Sequence, residues 1–309
     1  MTVHGYLGAS VVAVCSCGAA AAQAALLCSV AIDPLVLGQV SLRDGFDNTT
    51  FGTALVSCSG GEPGATVQTC LHIGAGSGGG SSGLSPRFLQ GAQMDRLGYQ
   101  LTQGAAASAG GQLIDRLERD LELDATGAGT VDPLVYAEIT DSGAMATAGN
   151  YVSRFTGPAD VAFSYGQGGC TQAGDVNGFT VSATVTASCT VFASPMDFGL
   201  STGTINDPID SAAMLSVSCT NGVGYSIGLD GGQSSTATGR MMTSGAGGLA
   251  YGLFHDAGMS APWTLAAGST AIGAGTGTTE PLTIYGRVFG GQRAVTGQYA
   301  DTVVIVIAY

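Results

Sequence analysis

The residues of this chain best placed to do chemistry are its cysteines, and their spacing points to disulfide formation. Cys28 and Cys58 lie 30 positions apart, as do Cys189 and Cys219. The first interval reads Cys28-Ser-Val-Ala-Ile-Asp-Pro34-Leu-Val-Leu-Gly38 and closes on Val56-Ser-Cys58. The second reads Cys189-Thr-Val-Phe-Ala-Ser-Pro195-Met-Asp-Phe-Gly199 and closes on Val217-Ser-Cys219. Cysteine, proline and glycine keep their places, so the repeat itself selects Cys28–Cys58 and Cys189–Cys219 and leaves Cys70 for Cys170. Each 30-residue loop so closed contributes about 3–4 kcal/mol in the chain-entropy model.

Other chemistry finds little support. Zinc would need a C-x-x-C pair or clustered histidines, and beyond residue 24 only His72 and His255 are available. A hydrolytic triad needs a histidine beside a nucleophile and an orienting acid. His72 follows the bridged Cys70 by two positions, and His255 sits in the turn sequence His255-Asp-Ala-Gly. The glycines after Gly74 lack the Gly-Lys-Ser/Thr ending of a phosphate loop, and Asp207 and Asp210 have the setting of turn residues. The sequence therefore suggests no catalytic residue, metal site or cofactor.

The repeat extends beyond the cysteines. Leu97-Gly-Tyr-Gln-Leu101 answers Leu249-Ala-Tyr-Gly-Leu253, and Pro133-Leu134 with Gly149-Asn-Tyr151 answers Pro281-Leu282 with Gly297-Gln-Tyr299. A period of about 150 residues is a duplicated domain, since solenoid units run to roughly 20–50. The expected division is an export signal over 1–24, an N-terminal domain over 25–165, a linker over 166–178 and a C-terminal domain over 179–309.

Composition agrees. With 51 glycines among 309 residues, 45% hydrophobic and 10% charged, the chain suits short strands joined by glycine turns. It carries nine arginines, no lysine and a net charge of -13, which excludes the basic footprint of a nucleic-acid binder. Tyr6 to Ala24 is uncharged, small and apolar and ends in Ala22-Gln-Ala24, a signal-peptidase pattern. Cleavage there leaves six cysteines, an even number that suits an oxidising compartment.

Along the second domain, Phe179-Thr-Val-Ser-Ala-Thr-Val185 alternates with period two and leads into Cys189. Leu215 to Cys219, Tyr225 to Leu229, Gly248 to Phe254 and Leu282 to Phe289 follow as further short strands, the pattern of a β-sandwich. The chain closes on Val303-Val-Ile-Val-Ile-Ala-Tyr309, apolar on both faces. A last strand of that kind invites a neighbour from another polypeptide by β-strand addition. The first domain carries long Gly/Ser loops at 74–83 and 104–111. Leu113 to Leu123 has apolar residues at i, i+4 and i+8, which predicts a short amphipathic helix. Val161-Ala-Phe-Ser-Tyr165 predicts an extra strand completing that domain internally.

With these residues in view, the second domain resembles the spore coat protein U (SCPU) domain, the pilin-type fold of archaic chaperone-usher pili. The carriers are Phe179-x-Val181-x-Ala183-x-Val185, Pro195-x-x-Phe198-Gly199, Val217-x-Cys219, Leu249 to Phe254, Trp263 and Gly297-x-Tyr299-x-Asp301-Thr-Val303. The first domain is similar only through its Cys28 to Cys58 block and Gly149-x-Tyr151. The resemblance implies an all-β chain of two immunoglobulin-like sandwiches, the C-terminal one incomplete. It implies a groove along Val303, Ile305, Ile307 and Tyr309, filled first by a periplasmic chaperone and then, at an outer-membrane usher, by a strand of the next subunit.

Only three residues would separate the cleavage point from Cys28, too few for a donor strand of about ten, which suggests a tip position on a surface pilus. The expected role is therefore a tip adhesin, acting in attachment or biofilm formation through first-domain loops at 74–88 and 104–111, with Leu84, Phe88 and Leu89 as apolar contacts. The rivals are a purely structural coat or fibre subunit and a sugar-binding domain. The latter lacks an aromatic platform, since the one tryptophan, Trp263, lies in the pilin-type domain.

Overall fold

The computed structural model describes residue 1 and residues 25–42, 48–140, 145–236, 239–245 and 247–309; the export signal expected over 1–24 lies outside the described residues but for Met1. Among the described residues the regular structure is β-strand, with two single 3-10 turns at Ser82–Leu84 and Ala107–Ala109.

The first domain is built from β1 (Leu27–Ile32), β2 (Leu35–Val40), β3 (Thr49–Ser59), β4 (Thr66–Ile73), β5 (Arg87–Gln90), β6 (Arg96–Gln103) and β7 (Gln112–Leu113). It continues with β8 (Arg116–Glu122), β9 (Gly129–Val131), β10 (Leu134–Ile139), β11 (Gly149–Phe155), β12 (Val161–Gly166), β13 (Gln172–Val176) and β14 (Phe179–Val185). One hydrogen-bonded path runs β2-β14-β11-β5-β6-β10-β3-β1-β13-β12-β4-β8. It folds over on itself because β3 serves both layers: Thr49–Thr53 pairs with β10, and Ala54–Ser59 pairs with β1.

The second domain holds β15 (Cys189–Ala193), β16 (Thr204–Ile205), β17 (Ile209–Cys219), β18 (Gly224–Leu229) and β19 (Arg240–Thr243). Then come β20 (Gly248–Phe254), β21 (Ala271–Ala274), β22 (Thr279–Val288), β23 (Gln292–Arg293) and β24 (Ile305–Ala308). Its layers are a five-stranded sheet, β15-β17-β22-β20-β19, and a three-stranded one, β21-β18-β24. Trp263 fills the space between them, buried, with its Nε1 donating to Ile227 O at 2.8 Å and its ring stacked on His255 at 4.2 Å.

Three sequence expectations need correction. Leu113 to Leu123 is not a helix: β7 and β8 occupy it, and β8 pairs with β4 from Arg116 opposite His72 to Glu122 opposite Thr66. Apolar residues four apart satisfy a period of two as well as one of 3.6, and pairing with β4 decided the matter. The linker expected over 166–178 is also sheet. β13 lies between β1, to which it is parallel, and β12, to which it is antiparallel.

Third, the strand expected to open the second domain belongs to the first. β14 runs parallel to β2 and antiparallel to β11, and Phe179, Val181, Ala183 and Val185 all enter the first core. Phe179 stacks on Phe155 with ring centroids 4.3 Å apart. The connection between the domains therefore shrinks to residues 186–188. It is braced by Asn221 Nδ2 donating to Met145 O at 2.9 Å and Thr220 Oγ1 donating to Thr186 O at 3.2 Å.

The duplication is plain in three dimensions. Cys28 lies directly opposite Cys58 on β1 and β3, and Cys189 opposite Cys219 on β15 and β17, each pair bridged with Cα atoms 4.1 Å apart. Cys70 is bridged to Cys170. Tyr151 OH donates to Thr147 O at 2.8 Å and Tyr299 OH to Val295 O at 2.9 Å, four residues upstream in both cases. That is the tyrosine corner of an immunoglobulin-like sandwich, and it explains why those two tyrosines keep their place in the repeat.

Candidate strand-acceptor site

The site begins with the alternation of Val303 to Tyr309. A strand turns successive side chains to opposite faces, so Val303, Ile305 and Ile307 point inward and pack against the second core, while Val304, Val306 and Ala308 face solvent. β24 hydrogen-bonds to β18 on one edge, from Ile305 opposite Leu229 to Ala308 opposite Ser226. Among the described residues no strand pairs with its other edge. Across the opening stands β15, likewise an edge strand of its own sheet, with Cys189, Val191 and Ala193 half-buried. The inward residues of β15 and β24 thus line one apolar cleft between two unpaired strand edges. Tyr309 lies just past β24 and is 61% exposed, so it does not join the core.

The approach to β24 is fixed by hydrogen bonds rather than by packing. Asp301 Oδ1 accepts from Gln233 N at 2.9 Å and Ser234 N at 3.3 Å, and Asp301 Oδ2 accepts from Tyr251 OH at 2.7 Å. Asp230 Oδ1 accepts from Val304 N at 2.8 Å. Burial and the Asp301 carboxylate push the Tyr251 phenol far above its ordinary range, so it stays a donor. The motif Tyr299-x-Asp301-Thr-Val303 therefore anchors the last strand at one end and leaves its outer edge free.

Beneath this anchor sits Arg240, which donates from Nε to Asp230 O at 2.8 Å and from Nη2 to Leu229 O at 2.9 Å and Trp263 O at 2.8 Å. The first domain repeats the arrangement with Arg87, whose Nε donates to Gly74 O at 2.7 Å and whose Nη2 donates to Ile73 O at 2.8 Å and to Ile114 O. Both arginines open a strand, and both stand opposite a tyrosine, Tyr99 and Tyr251. Sequence reasoning missed this pair. The signal was available, an arginine ten residues ahead of the repeated Leu97 to Leu101 block and nine ahead of Leu249 to Leu253.

These shared contacts align the domains residue by residue. The carbonyls of Ile73 and Leu229 receive the same arginine nitrogen, and they belong to residues opposite Val161 and Ile305. Hence Val161, Phe163 and Tyr165 correspond to Ile305, Ile307 and Tyr309. In the first domain the neighbouring strand is supplied by the chain itself, as β13 and then β14.

The proposed loop contacts fare unevenly. Leu89 is wholly buried in the first core, so it is corrected from a contact residue to a packing residue; its place on β5 turns it inward opposite Leu97. Phe88 is half-buried with the Arg96 guanidinium 5.5 Å from its ring centroid, and Leu84 is half-buried at a positive φ of 59°. Of the residues considered for catalysis, His72 is an exposed side chain on β4 opposite Arg116, and His255 Nε2 lies 3.1 Å from Ser269 O. Asp210 forms a two-pronged ion pair with Arg287 at 2.6 and 2.7 Å. It sits on β17 opposite Arg287, and not in the turn that its sequence setting suggested.

Comparison with known proteins bears on the second domain. Residues 176–306 match the Spore Coat Protein U domain model. The C-terminal domain is similar to the SCPU family over that stretch. No curated relative matches the chain. Among solved structures, the chaperone–tip adhesion subunit pre-assembly complex of the archaic chaperone-usher Csu pili of Acinetobacter baumannii (CsuC–CsuE) aligns over 91% of this chain and 100% of the matched one, with a TM-score of 0.52 and 16% identity. That likeness establishes the fold. The CupB6 tip adhesin of Pseudomonas aeruginosa aligns over 92% and 95% at a TM-score of 0.36 and 11% identity, too weak to argue from. The SCPU match starts at residue 176 and so takes in β14, the strand that the first domain uses. An SCPU domain thus lends its leading segment to the domain in front of it.

Proposed function

We propose that this chain is a two-domain subunit of a chaperone-usher fibre whose SCPU domain accepts a strand from another polypeptide. One observation carries the reading. In the first domain, residues 172–185 lie antiparallel to β12 and β11 and parallel to β1 and β2, whereas the equivalent edges of β24 and β15 have no strand beside them among the described residues. The first domain thus serves as a template: the incoming strand should lie antiparallel to β24, parallel to β15, and place apolar residues at alternate positions as Phe179, Val181, Ala183 and Val185 do.

The partners that fit are a periplasmic chaperone, which would hold the cleft during transit, an outer-membrane usher, and the next pilin subunit, which would replace the chaperone. CsuE, the solved relative in fold, is a tip subunit captured with its chaperone, which supports the same placement here at the end of a surface fibre. Export through the periplasm accords with the three disulfides. The first domain, closed by its own chain, is then free to attach to a surface and seed biofilm, with the segment at 74–88 bearing Leu84 and Phe88 as the contact region. A purely structural subunit is the alternative, distinguished by adhesion.

The test is expression of the full chain with and without its cognate chaperone, followed by addition of a 14-residue peptide of sequence 172–185 type. Soluble protein only with the chaperone, and its release by the peptide, is the expected result; a soluble monomer with neither would sink the acceptor reading. Deleting residues 74–83 with attachment unchanged would remove the loop assignment alone.

A further inference from the structure

The first domain carries a cleft of about 510 Å³ that neither the strand-acceptor site nor the segment at 74–88 includes. It is lined by Gln103, Gln112 and Arg119 and by the two ends of the loop at 104–111. Arg119 is the residue out of pattern. Leu117 and Leu121 turn to the core side of β8 and are buried, and alternation puts Arg119 on that same side. Its Nη2 donates to Gln103 Oε1 at 3.1 Å and its Nη1 to the Glu118 carbonyl at 2.7 Å. A guanidinium carries more N–H donors than these two bonds use. The acids on either side of it point the other way: Glu118 is exposed and pairs with Arg116 at 2.6 Å, and Asp120 is exposed. Among the described residues no ion pair includes Arg119. In a chain of net charge -13, the cleft is thus lined by a cation and no anion.

The rest of the lining presents amides and bare backbone. Gln103 and Gln112 stand opposite each other on β6 and β7, and each amide can both donate and accept. The loop between them holds its shape without large side chains. Gly111 N donates to Ala106 O at 2.9 Å, Thr102 Oγ1 to Ala105 O at 2.6 Å and Ser108 N to Glu138 Oε2 at 2.8 Å. Gly104 and Gly110 turn its ends at φ of 80° and 83°, and a Cβ on either would meet no atom within 4 Å. Glycine there serves the turn and leaves the rim open. Preformed clefts of this size take small molecules or single units of a polymer, and those for apolar ligands are lined by apolar and aromatic side chains. Here Ala105 supplies the one apolar side chain of the lining. The fitting ligand is polar, with an anionic group for the guanidinium fork and hydroxyls for the amides.

We infer that this cleft binds a carboxylate-bearing sugar of the hexuronate class, its carboxylate on Arg119 and its ring hydroxyls on Gln103 and Gln112. A neutral sugar would leave the guanidinium unmatched, and a small carboxylate would leave the amides unused. This assignment rests on the reading of the first domain as the attaching one, and it gives that domain a ligand held by charge and hydrogen bonds in place of an aromatic platform.

The test uses the full chain together with its chaperone and follows the side-chain N–H signals of Arg119, Gln103 and Gln112 by NMR during titration with sodium galacturonate at constant ionic strength. Saturable shifts at all three are expected, with galactose and acetate each weaker by about tenfold or more. Arg119→Gln, which removes the charge, should lose about tenfold in affinity. Arg119→Lys, which keeps the charge without the fork, should fall between. No saturable shift, equal binding of galactose or of acetate, or an unchanged affinity in Arg119→Gln would each overturn the assignment. Surface attachment that persists alongside such a result keeps the adhesin reading and removes the sugar alone; galacturonate bound by a chain that attaches to nothing does the reverse.

Discussion

Tyr165 and Tyr309 occupy equivalent positions in the two domains, yet Tyr165 is 3% exposed and Tyr309 61%. Val161 and Phe163 are likewise buried, while Ile305 and Ile307 are only half so. The residue types are alike, so the difference comes from what lies beside them: β13 covers β12, whereas among the described residues nothing pairs with the outer edge of β24. It propagates through the whole interior. Among the described residues the first core has 32 buried hydrophobics and 6 half-buried ones at its margin, the second 14 and 13. About half of the second core is therefore margin. A domain with a sheet edge left unpaired keeps its topology and disulfide but does not seal the apolar side chains beside that edge, and that deficit is the basis of the proposal that the second domain accepts a strand.

The comparison can be broken most forcefully at the bridges. Replacing Cys70 and Cys170 with serine opens a 100-residue loop and should cost the first domain about 4–5 kcal/mol, against about 3–4 kcal/mol for the same change at Cys189 and Cys219, read as denaturant midpoints of the two transitions. Next comes the covering strand. Phe179→Ala removes the ring stacked on Phe155 and should destabilise the first domain by about 3–5 kcal/mol, leaving the second transition in place. If the second transition falls instead, β14 belongs to the SCPU domain after all.

A matched pair sharpens the point. Phe163→Ala should cost about 3–5 kcal/mol at once, whereas Ile307→Ala should cost under about 2 kcal/mol in the free chain and more once a donor strand covers it. Equal costs in the free chain would mean that β24 is already covered. The corner hydroxyls are smaller terms: Tyr151→Phe and Tyr299→Phe should each lose about 1 kcal/mol in thermal unfolding.

The smallest effect is a pH dependence confined to the first domain. Burial pushes the Asp95 carboxyl up, but hydrogen bonds from Tyr151 and Thr147 outweigh it and hold the group below its ordinary 3.8. A depressed carboxylate stabilises the fold above its unfolded value, and that contribution fades as pH falls through the folded one. Asp95→Asn should flatten the acid limb of the first domain's unfolding curve, below about pH 4.

Much of this was legible in the residues. The 30-residue cysteine interval marked two of the bridges and left Cys70 for Cys170, and period-two alternation found β14 and the end of β17. The offset shared by Tyr151 and Tyr299 marked the corner in each sandwich. Alternation says that a segment is a strand but not whose sheet it joins, so β14 was given to the wrong domain. The leucines from 113 to 123 fit two periods, and only pairing with β4 chose between them. Leu89 looked like a loop residue because Gly-rich sequence precedes it, while its inward turn depends on β6. Arg87 and Arg240 went without a role, since the repeat can mark their places but does not announce that three carbonyls will converge on one guanidinium.

The most direct test is hydrogen exchange across Ile305–Ala308 of the full chain, with and without a peptide patterned on residues 172–185. The amides of β24 that point away from β18 should exchange freely in the free chain and become protected when the peptide binds, while those of β12 stay protected throughout. Protection of both strands without any peptide would contradict the claim that the second sandwich awaits a strand from elsewhere.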